Sequence, residues 1–460
     1  MDLSIWWCTD DDVAQVAGLT GLTELLLADT MVTDACTRDL ARLTGLQRLD
    51  LSYNRLTAAC LPALAALAGL RDLDLSHTQV TDVQALRPLT LLTALRLAGT
   101  GVAAGALAHL GAHHPALRRL DLDVPWTHHG ILGTGDALTA LARLPLERLS
   151  LRGHDGIAGA GMTHVLRLTR LQHLDLRSTG VGDADLASLP DCLPRLRWLG
   201  LSHTDVTDAG MPHLGRLSRL RELHLLATGV SDAGLAHVAC SAGLCVLDLR
   251  ETAISDRGLA HLERLPHLRV LNLAGMRATR VGLARLARLS ALVDLDLSCI
   301  GRLDDLDLRH LAALTRLTCL ELALTGVTSA GLAHLAALPR LSKLNLNGTP
   351  AGGDGGVARL TGLRTLRLGG TGLSDDGLRQ VAAHLTGLQS LVARFTHVTD
   401  AGLAALAALT ALRELDLSST RVSNAGMAHL AAMPWLQHLR LWGTAVTDLS
   451  GLPFLHSARL

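Results

Sequence analysis

Residues 220–228 read LRELHLLAT, and residues 230–238 read VSDAGLAHV. In the first run Leu223 and Leu225 point to one side and His224 to the other, which predicts a short strand with one buried face. In the second run Ser231 and Asp232 supply a helix start, and the apolar residues that follow have helical spacing. The segment therefore predicts a strand followed by a short return helix.

The same unit recurs along the whole chain. The first leucine of the pattern LxxLxLxxT occurs 18 times, and nine of the 17 intervals between these anchors are 24 residues, while the others run from 22 to 29. The anchors are Leu22, Leu46, Leu70, Leu92, Leu117, Leu146, Leu171, Leu196, Leu220, Leu244, Leu268, Leu292, Leu317, Leu341, Leu363, Leu388, Leu412 and Leu436. Because one coil cannot enclose its own leucines, each must lie between neighbours. We expect an α/β solenoid of about 18 coils, with parallel strands on the concave face and short helices on the convex face.

A polar residue recurs eight positions after the anchor. It is threonine in most coils and Asn54 in one, and such a side chain can bond loop amides that no strand pairing satisfies. The exceptions are Pro125, His154, Met276 and Ile300. We expect altered corners in those four coils.

The anchors also define the domain organisation. Residues 9–22 align in register with 207–220, which predicts an N-terminal half-coil over residues 1–21 that acts as a cap. The solenoid then covers residues 22–460, and the longest interval between anchors predicts an insertion near 123–136. No Pro/Ser-rich linker or charge run divides the chain, so we expect one elongated architecture.

The two ends carry apolar residues where a solenoid normally needs a polar cap. In one interpretation Trp6 and Trp7 fold over the first coil, and residues 453–455 close the last one. In the other, the chain associates with itself through an uncapped end. Both remain open at this level.

The repeats resemble a known class. Runs such as VTDAGM at 206–211 and VSDAGL at 230–235 are similar to the bacterial GALA-like, T-D-A-G-L class of leucine-rich repeats, and the likeness covers essentially the whole chain. It implies a leucine-rich-repeat solenoid, or horseshoe. Such repeats occur in type III effectors that carry an N-terminal F-box, where the solenoid is a substrate receptor for ubiquitin ligases. Here the first helix begins near residue 9 and leaves no room for an F-box, so a docking module would have to be supplied in trans.

Composition limits the partners and the compartment. The 42 basic and 42 acidic residues cancel, so no global field favours nucleic acid or anionic lipid. Lys343 is the single lysine, and the scarcity of Tyr and Phe indicates a GC-rich, bacterial genome.

No secretory signal or apolar run of about 20 residues is present, which predicts a cytoplasmic protein outside the membrane. The eight cysteines form no CxxC pair, which predicts reduced, mostly packed thiols.

Catalytic motifs are missing from the sequence. It contains no HExxH, GxSxG or GxxxxGK[ST], so we expect no enzymatic activity and no cofactor. A metal site is conceivable where the histidine pairs 113–114 and 128–129 flank the strand of Asp121 and Asp123. Solvated loop histidines are the simpler interpretation, and we predict no metal.

Acidic residues are the most frequent class at the middle outward position of the strands. Its acidic members are Asp50, Asp74, Asp121, Asp175, Asp248, Asp296, Glu321 and Asp416. Stacked carboxylates favour a partner with a basic surface and disfavour a phosphate backbone. The alternative is that Leu-Asp-Leu is simply what solvated strands of this repeat use.

Coils six to ten differ from the others because they add an outward tryptophan and arginines. Large aromatic and arginine side chains dominate binding hot spots. The candidate partner-binding residues are Trp198, His224, Arg152, Arg177, Arg250, Asp175, Asp248, His173 and Glu222. The sequence thus predicts a non-enzymatic scaffold that binds a protein or peptide on its concave face. The alternative is a substrate-receptor or effector subunit of a ubiquitin-ligase-like assembly.

Overall fold

The computed structural model describes residues 1–4, 7–124, 136–352 and 355–459. Two compact units, Met1–Gly229 and Val230–Leu460, make up the chain. Most of the predicted insertion, residues 125–135, lies outside the described residues, and so do Pro125, His128 and His129.

The first unit contains nine strands within its described residues, and each pairs in parallel with the next one along the chain. They are β1 (Glu24–Leu26), β2 (Arg48–Asp50), β3 (Asp72–Asp74), β4 (Ala94–Arg96), β5 (Arg119–Asp121), β6 (Arg148–Ser150), β7 (His173–Asp175), β8 (Trp198–Gly200) and β9 (Glu222–His224). Every strand begins two residues after its anchor leucine, as the repeat predicts.

The second unit continues the pattern with ten parallel strands in the part that the structure describes. They are β10 (Val246–Asp248), β11 (Val270–Asn272), β12 (Asp294–Asp296), β13 (Cys319–Glu321), β14 (Lys343–Asn345), β15 (Thr365–Arg367), β16 (Ser390–Val392), β17 (Glu414–Asp416), β18 (His438–Arg440) and β19 (Ser457–Arg459). The prediction of about 18 coils missed β19, because Ala458 stands where the pattern requires a leucine.

Short helices or 3-10 turns connect the strands. In the first unit they are α1 (Asp10–Val16), α2 (Thr37–Leu40), α3 (Leu61–Leu64), α4 (Ala104–His113), α5 (Asp136–Thr139), α6 (Ala160–Val165), α7 (Asp183–Leu186), α8 (Leu189–Cys192) and α9 (Met211–Leu214). In the second they are α10 (Asp232–Val238), α11 (Asp256–Leu262), α12 (Arg280–Leu286), α13 (Asp305–Leu311), α14 (Ser329–Leu335), α15 (Asp375–His384), α16 (Asp400–Leu403) and α17 (Asn424–Leu430). The 3-10 turns cover Asp34–Cys36, Ala58–Cys60, Gln84–Leu86, Ala140–Arg143, Asp155–Ile157, Gly356–Arg359 and Ala404–Ala408.

Leucines fill the interior between strands and helices. Leu223 and Leu225 of the coil around β9 have no exposed surface, and the helix residues Leu235 and Val238 are at most 1% exposed. Burying each such side chain contributes roughly 1.5–3 kcal/mol. The prediction of one buried strand face is therefore confirmed.

None of the helices that the structure describes is long and apolar enough to cross a membrane.

The polar residue eight positions after the anchor acts mainly as a hydrogen-bond donor, and the predicted bond to a loop amide occurs in a few coils only. Its hydroxyl donates to the backbone carbonyl three residues earlier, as from Thr78 to Leu75 at 2.6 Å. The same bond is made by Thr30, Thr100, Thr179, Thr204, Thr228, Thr252, Thr325, Thr349, Thr371, Thr396, Thr420 and Thr444. The hydroxyls of Thr371 and Thr444 also accept from a loop amide, from the Leu373 N–H at 3.4 Å and the Val446 N–H at 3.3 Å. Asn54 combines both roles, because its Oδ1 also accepts from the Thr30 N–H at 3.1 Å.

The exceptional corners keep the common backbone turn. Gly275 and Cys299, the residues before Met276 and Ile300, have positive φ angles of 76° and 61°, as the equivalent residues of most coils do. Met276 and Ile300 bury their side chains in the threonine slot. The ring of His154 is also buried there, and its Nε2 lies 2.7 Å from the Leu122 carbonyl oxygen. The expectation of altered corners is wrong for these three coils, because an apolar or imidazole side chain fills the same space.

The first residues of the chain lie beside β1. The Leu3 N–H donates to the Leu26 carbonyl at 2.9 Å, and the Leu26 N–H donates to the Met1 carbonyl at 3.0 Å. Trp7 is 85% exposed, so it does not fold over the first coil as one interpretation expected, and Trp6 lies outside the described residues.

Candidate binding site around Trp198

The first residues of strands β5 to β9 form a row across the first unit. In register they are Arg119, Arg148, His173, Trp198 and Glu222. Parallel pairing without any shift in register places Trp198 between His173 and Glu222 on neighbouring strands. The row brings three of the predicted site residues together.

Trp198 is half-buried among other rings and a guanidinium group. The His173 ring stacks on the indole at 3.9 Å between centroids with planes 14° apart, and the His224 ring lies 5.0 Å away at 38°. The guanidinium carbon of Arg177 lies 5.6 Å from the indole centroid, within the range of a cation–π contact. The aromatic cluster of His173, Trp198 and His224 is thus a packed surface with a cation at its edge.

Gly200 makes room for this arrangement. A Cβ atom at Gly200 would lie 2.7 Å from Trp198 Cη2 and 2.8 Å from Asp175 Oδ1. The indole therefore lies along β8 over the glycine, two residues further on the same strand face. Any other residue at 200 would displace the ring.

Asp175 holds Arg177 in place. Arg177 Nε lies 2.9 Å from both carboxylate oxygens of Asp175, and Nη2 lies 2.5 Å from Oδ2. Asp175 is 2% exposed, and its hydrogen bonds raise the pKa of Arg177. The carboxylate therefore positions the arginine rather than facing a ligand.

Asp248 and Arg250 form the same kind of pair in the second unit. Arg250 Nη2 lies 2.7 Å from Asp248 Oδ2, and Arg250 Nε lies 3.0 Å from Oδ1. In both units the arginine follows the aspartate by two residues at the end of a strand, so the ion pair forms within a single coil. The sequence analysis placed this pair in one candidate site with Trp198. The pair belongs to the second unit, whereas Trp198 belongs to the first.

Arg152 lies next to a second group of carboxylates. Its side chain is exposed, and its backbone N–H donates to Asp123 Oδ1 at 2.9 Å, where the Ser150 hydroxyl also donates. Burial raises the pKa of Asp123, and burial together with the charge of Asp123 raises the pKa of Asp121 to about 6. Keeping these two carboxylates ionised therefore costs free energy of folding.

Most acids of the middle column bond to their own coil. Asp50, Asp74, Asp296 and Asp416 each accept from the backbone N–H of the serine two residues later, at 2.9–3.0 Å. A carboxylate that closes its own turn in this way is an Asx-type structural element. The contacts favour the interpretation that Leu-Asp-Leu serves the fold.

His173 is neutral at physiological pH. Burial lowers its pKa to about 4, and the positive charge of Arg148 acts in the same direction. A neutral imidazole stacked on an indole adds flat, uncharged surface to the aromatic cluster.

The structure also places side chains here that the sequence analysis passed over. A depression of about 570 Å³ is lined by Arg119, Glu147, Arg148, Gln172, His173, Arg197, Trp198, Arg221 and Glu222. Alternation along a strand predicts outward side chains only within the strand and not at the residue before it. Glu147, Gln172, Arg197 and Arg221 come one residue after their anchors, and a comparison of that position across coils would have found them.

The conceivable metal site is not supported by the described residues. His114 is wholly buried with its Nδ1 3.2 Å from the Leu89 carbonyl oxygen, and burial lowers its pKa. His113 stacks on His109 at 4.3 Å. The expectation of solvated loop histidines is therefore wrong for His114, and no group of three or more metal-binding side chains occurs in the described ranges.

Comparisons with known proteins bear on the fold. Two family models, both described as leucine-rich repeats, match residues 44–102 and residues 408–431. No curated protein matches the chain. The chain is similar to TLR13 in a TLR13–ssRNA13 complex, at 19% identity over 95% of this chain and 65% of that one, with a TM-score of 0.54. It is also similar to an internalin (inlF) from Listeria monocytogenes, at 21% identity over 76% and 87% of the two chains, with a TM-score of 0.48.

A further similar structure is the LRR ectodomain of the plant membrane receptor kinase GASSHO1/SCHENGEN3 from Arabidopsis thaliana in complex with CASPARIAN STRIP INTEGRITY FACTOR 2. The identity is 18% over 97% of this chain and 59% of that one, with a TM-score of 0.42. This chain spans less than two thirds of the TLR13 and GASSHO1 chains. Together with the parallel strand-turn-helix coils, the likeness to TLR13 identifies the fold as a leucine-rich-repeat solenoid.

Proposed function

We propose that this solenoid is a non-enzymatic scaffold that binds a protein or peptide partner on the strand face of its first unit, centred on Trp198. The observation that carries the proposal is the packed aromatic cluster with Arg177 at its edge. Aromatic and arginine side chains that are already held in place bury large areas on binding and lose little entropy. His173 and Asp175 supply that order here, by stacking and by ion pairing.

The surroundings of the cluster support a macromolecular ligand rather than a small molecule. The depression beside Trp198 is wide and lined mainly by charged side chains. Small-molecule sites, in contrast, are enclosed and mostly apolar. A peptide or a protein loop fits such an open surface, because it can extend over several strands.

The test is affinity purification with the wild-type chain and with Trp198→Ala, followed by mass spectrometry of the captured proteins. Trp442→Ala is the matched control, since Trp442 is a 64% exposed tryptophan of the second unit. We expect the specific partners to be lost or strongly depleted with Trp198→Ala and retained with Trp442→Ala. Equal capture by all three proteins, with urea unfolding curves that confirm folding, would contradict the proposal.

A further inference from the structure

We infer that the depression beside Trp198 recognises a peptide segment that presents Asp or Glu carboxylates. The inference rests on the proposed function and specifies the chemistry of its ligand. We define the arginine basin as Arg119, Arg148, Arg197 and Arg221, which line the depression together with His173 and Trp198.

The arginine basin is built by two adjacent rows of side chains. Arg119 and Arg148 are paired first residues of β5 and β6. Arg197 and Arg221 come one residue before β8 and β9, and the Arg221 N–H donates to the Arg197 carbonyl at 2.8 Å. The backbone therefore fixes the spacing of the four guanidinium groups.

Positive charge exceeds negative charge at this end of the strands. The depression has four arginines and two acids, and one of the acids, Glu147, is already paired with Arg118. Arg119, Arg148 and Arg197 are exposed and make no ion pair with any described residue of the chain. Exposed Arg170, Arg195 and Arg219 stand one residue before three successive anchors and add charge to the loops leading into β7, β8 and β9.

Arg119, Arg148 and Arg197, which make no ion pair with a described residue, are suited to carboxylate ligands. The planar guanidinium group binds a carboxylate through two parallel hydrogen bonds, and this geometry gives specificity as well as affinity. The neutral His173 and the indole of Trp198 provide flat surface between the charges. The favoured ligand thus combines carboxylates with an aromatic or apolar side chain.

The dimensions match a short extended segment. From β5 to β9 there are four steps between strands, which amount to roughly 19 Å at the usual spacing of parallel strands. An extended peptide covers this length with about six residues. Two or three carboxylates within such a segment would reach the arginine basin.

A nucleic acid fits the same surface poorly. The other end of these strands carries the half-buried carboxylates of Asp121 and Asp123, so a continuous phosphate backbone would run into negative charge. The rings of His173, Trp198 and His224 pack against one another and so offer one joint platform, whereas single-stranded nucleic acid needs several separate ones. A peptide can place its charges at one end of the strands only.

The test is selection of a random 12-residue phage-displayed peptide library on the full chain. Enriched peptides are synthesised with a fluorescent label, and their affinities are measured by anisotropy. The decisive variant is Arg148→Gln/Arg197→Gln. The matched control is Arg38→Gln/Arg87→Gln, which removes two exposed arginines from other coils of the same unit. A 12-nucleotide oligo(U) RNA serves as competitor.

We expect the enriched peptides to be rich in Asp and Glu, and their affinity to fall about tenfold or more in the Arg148→Gln/Arg197→Gln variant. The control should change affinity by less than about twofold. The inference is overturned by enrichment of Lys and Arg, by no enrichment, by full binding to the decisive variant, or by tighter binding of the RNA.

The two proposals fail in different ways. If acidic peptides are not selected but cellular partners still depend on Trp198, the inference falls and the proposed function stands. If Trp198→Ala binds both the selected peptides and the cellular partners like wild type, the proposed site itself is wrong.

Discussion

At the scale of single residues, two ionisable groups on the strands of the first unit have displaced pKa values. Burial raises the pKa of Asp121 from 3.8 to about 6 and lowers the pKa of His173 from 6.5 to about 4. Asp121 therefore binds a proton more readily in the folded chain than in the unfolded chain, and His173 does so less readily. As pH falls from 7 to 4, Asp121 adds stability and His173 removes it, so the two effects oppose each other.

Replacing Asp121 with asparagine separates these effects. The amide oxygen of Asp121→Asn can still accept the Asp123 N–H, which donates to Asp121 at 3.0 Å. Because the variant carries no buried charge, we expect its free energy of unfolding to exceed that of wild type by about 1–3 kcal/mol at pH 7.5. The advantage should shrink as pH falls through 6 and vanish near pH 4.

Urea unfolding at a series of pH values measures this difference. His173→Gln is the comparison, since its gain over wild type should grow from pH 6.5 toward pH 4. Parallel pH profiles for wild type and Asp121→Asn would show that the carboxylate is not destabilised by burial.

At the scale of the coil, the aspartate that recurs at the start of the return helix or turn has a second role beyond starting it. Asp305 Oδ1 accepts from the Thr328 N–H at 2.7 Å and Oδ2 accepts from the Thr328 hydroxyl at 2.6 Å, across neighbouring coils. Asp10, Asp34, Asp183, Asp232, Asp256, Asp375 and Asp400 make the same contacts with the next coil. Each of these aspartates ties its coil to the following one.

The recurring glycine of the T-D-A-G-L pattern follows from this contact. A Cβ atom at Gly331 would lie 2.4 Å from Asp305 Oδ1 and 2.9 Å from Asp305 Cα. We expect Gly331→Ala to lower the free energy of unfolding by about 1–3 kcal/mol, because the aspartate and its backbone must move. The control is Gly105→Ala in α4, where a Cβ atom meets nothing within 4 Å.

Thermal and urea unfolding of both variants provide the measurement. Gly105→Ala should be neutral or stabilising by up to about 1 kcal/mol, since alanine favours the helix. Equal loss of stability in the two variants would mean that the close contact with Asp305 is not the reason for the glycine.

These coils show what the sequence could and could not predict. The alternation around Leu223 and Leu225 was sufficient for the strands, because burial on one face leaves a period of two. Whether a coil has an α-helix or a 3-10 turn was not predictable, because four to seven residues carry too little propensity to decide. The contact of Asp305 with Thr328 spans 23 residues, so only knowledge of the register could reveal it.

At the scale of the whole chain, the net charge of zero conceals a local separation of charge. In the first unit, arginines such as Arg148 and Arg197 stand at the start of the strands, and acids such as Asp121 and Asp175 stand at their end. The outward-facing positions of the strands were sufficient to identify Trp198 and its neighbours from the sequence. They missed Arg197 and Arg221 of the arginine basin, because these two residues come one position before their strands, where alternation does not apply.

The eight cysteines are distributed over both units, and all are free thiols. Burial raises the pKa of Cys36 and of Cys60 to about 12, and both thiols are at most 1% exposed, as is appropriate for packing rather than reactivity. Cys240 and Cys299 are exposed. The prediction of packed thiols is therefore confirmed for Cys36 and Cys60, whereas Cys240 and Cys299 are not packed.

Reaction of the native chain with a thiol-specific disulfide reagent at pH 8 tests this distribution. We expect a fast phase from Cys240 and Cys299, whereas Cys36 and Cys60 should react only after unfolding in denaturant, because the reactive thiolate needs both exposure and deprotonation. Differential alkylation and mass spectrometry identify the residues, and the variant Cys240→Ser/Cys299→Ser should lose the fast phase. If Cys36 is labelled in the native chain as quickly as Cys240, the coils that enclose it open far more readily than their burial implies.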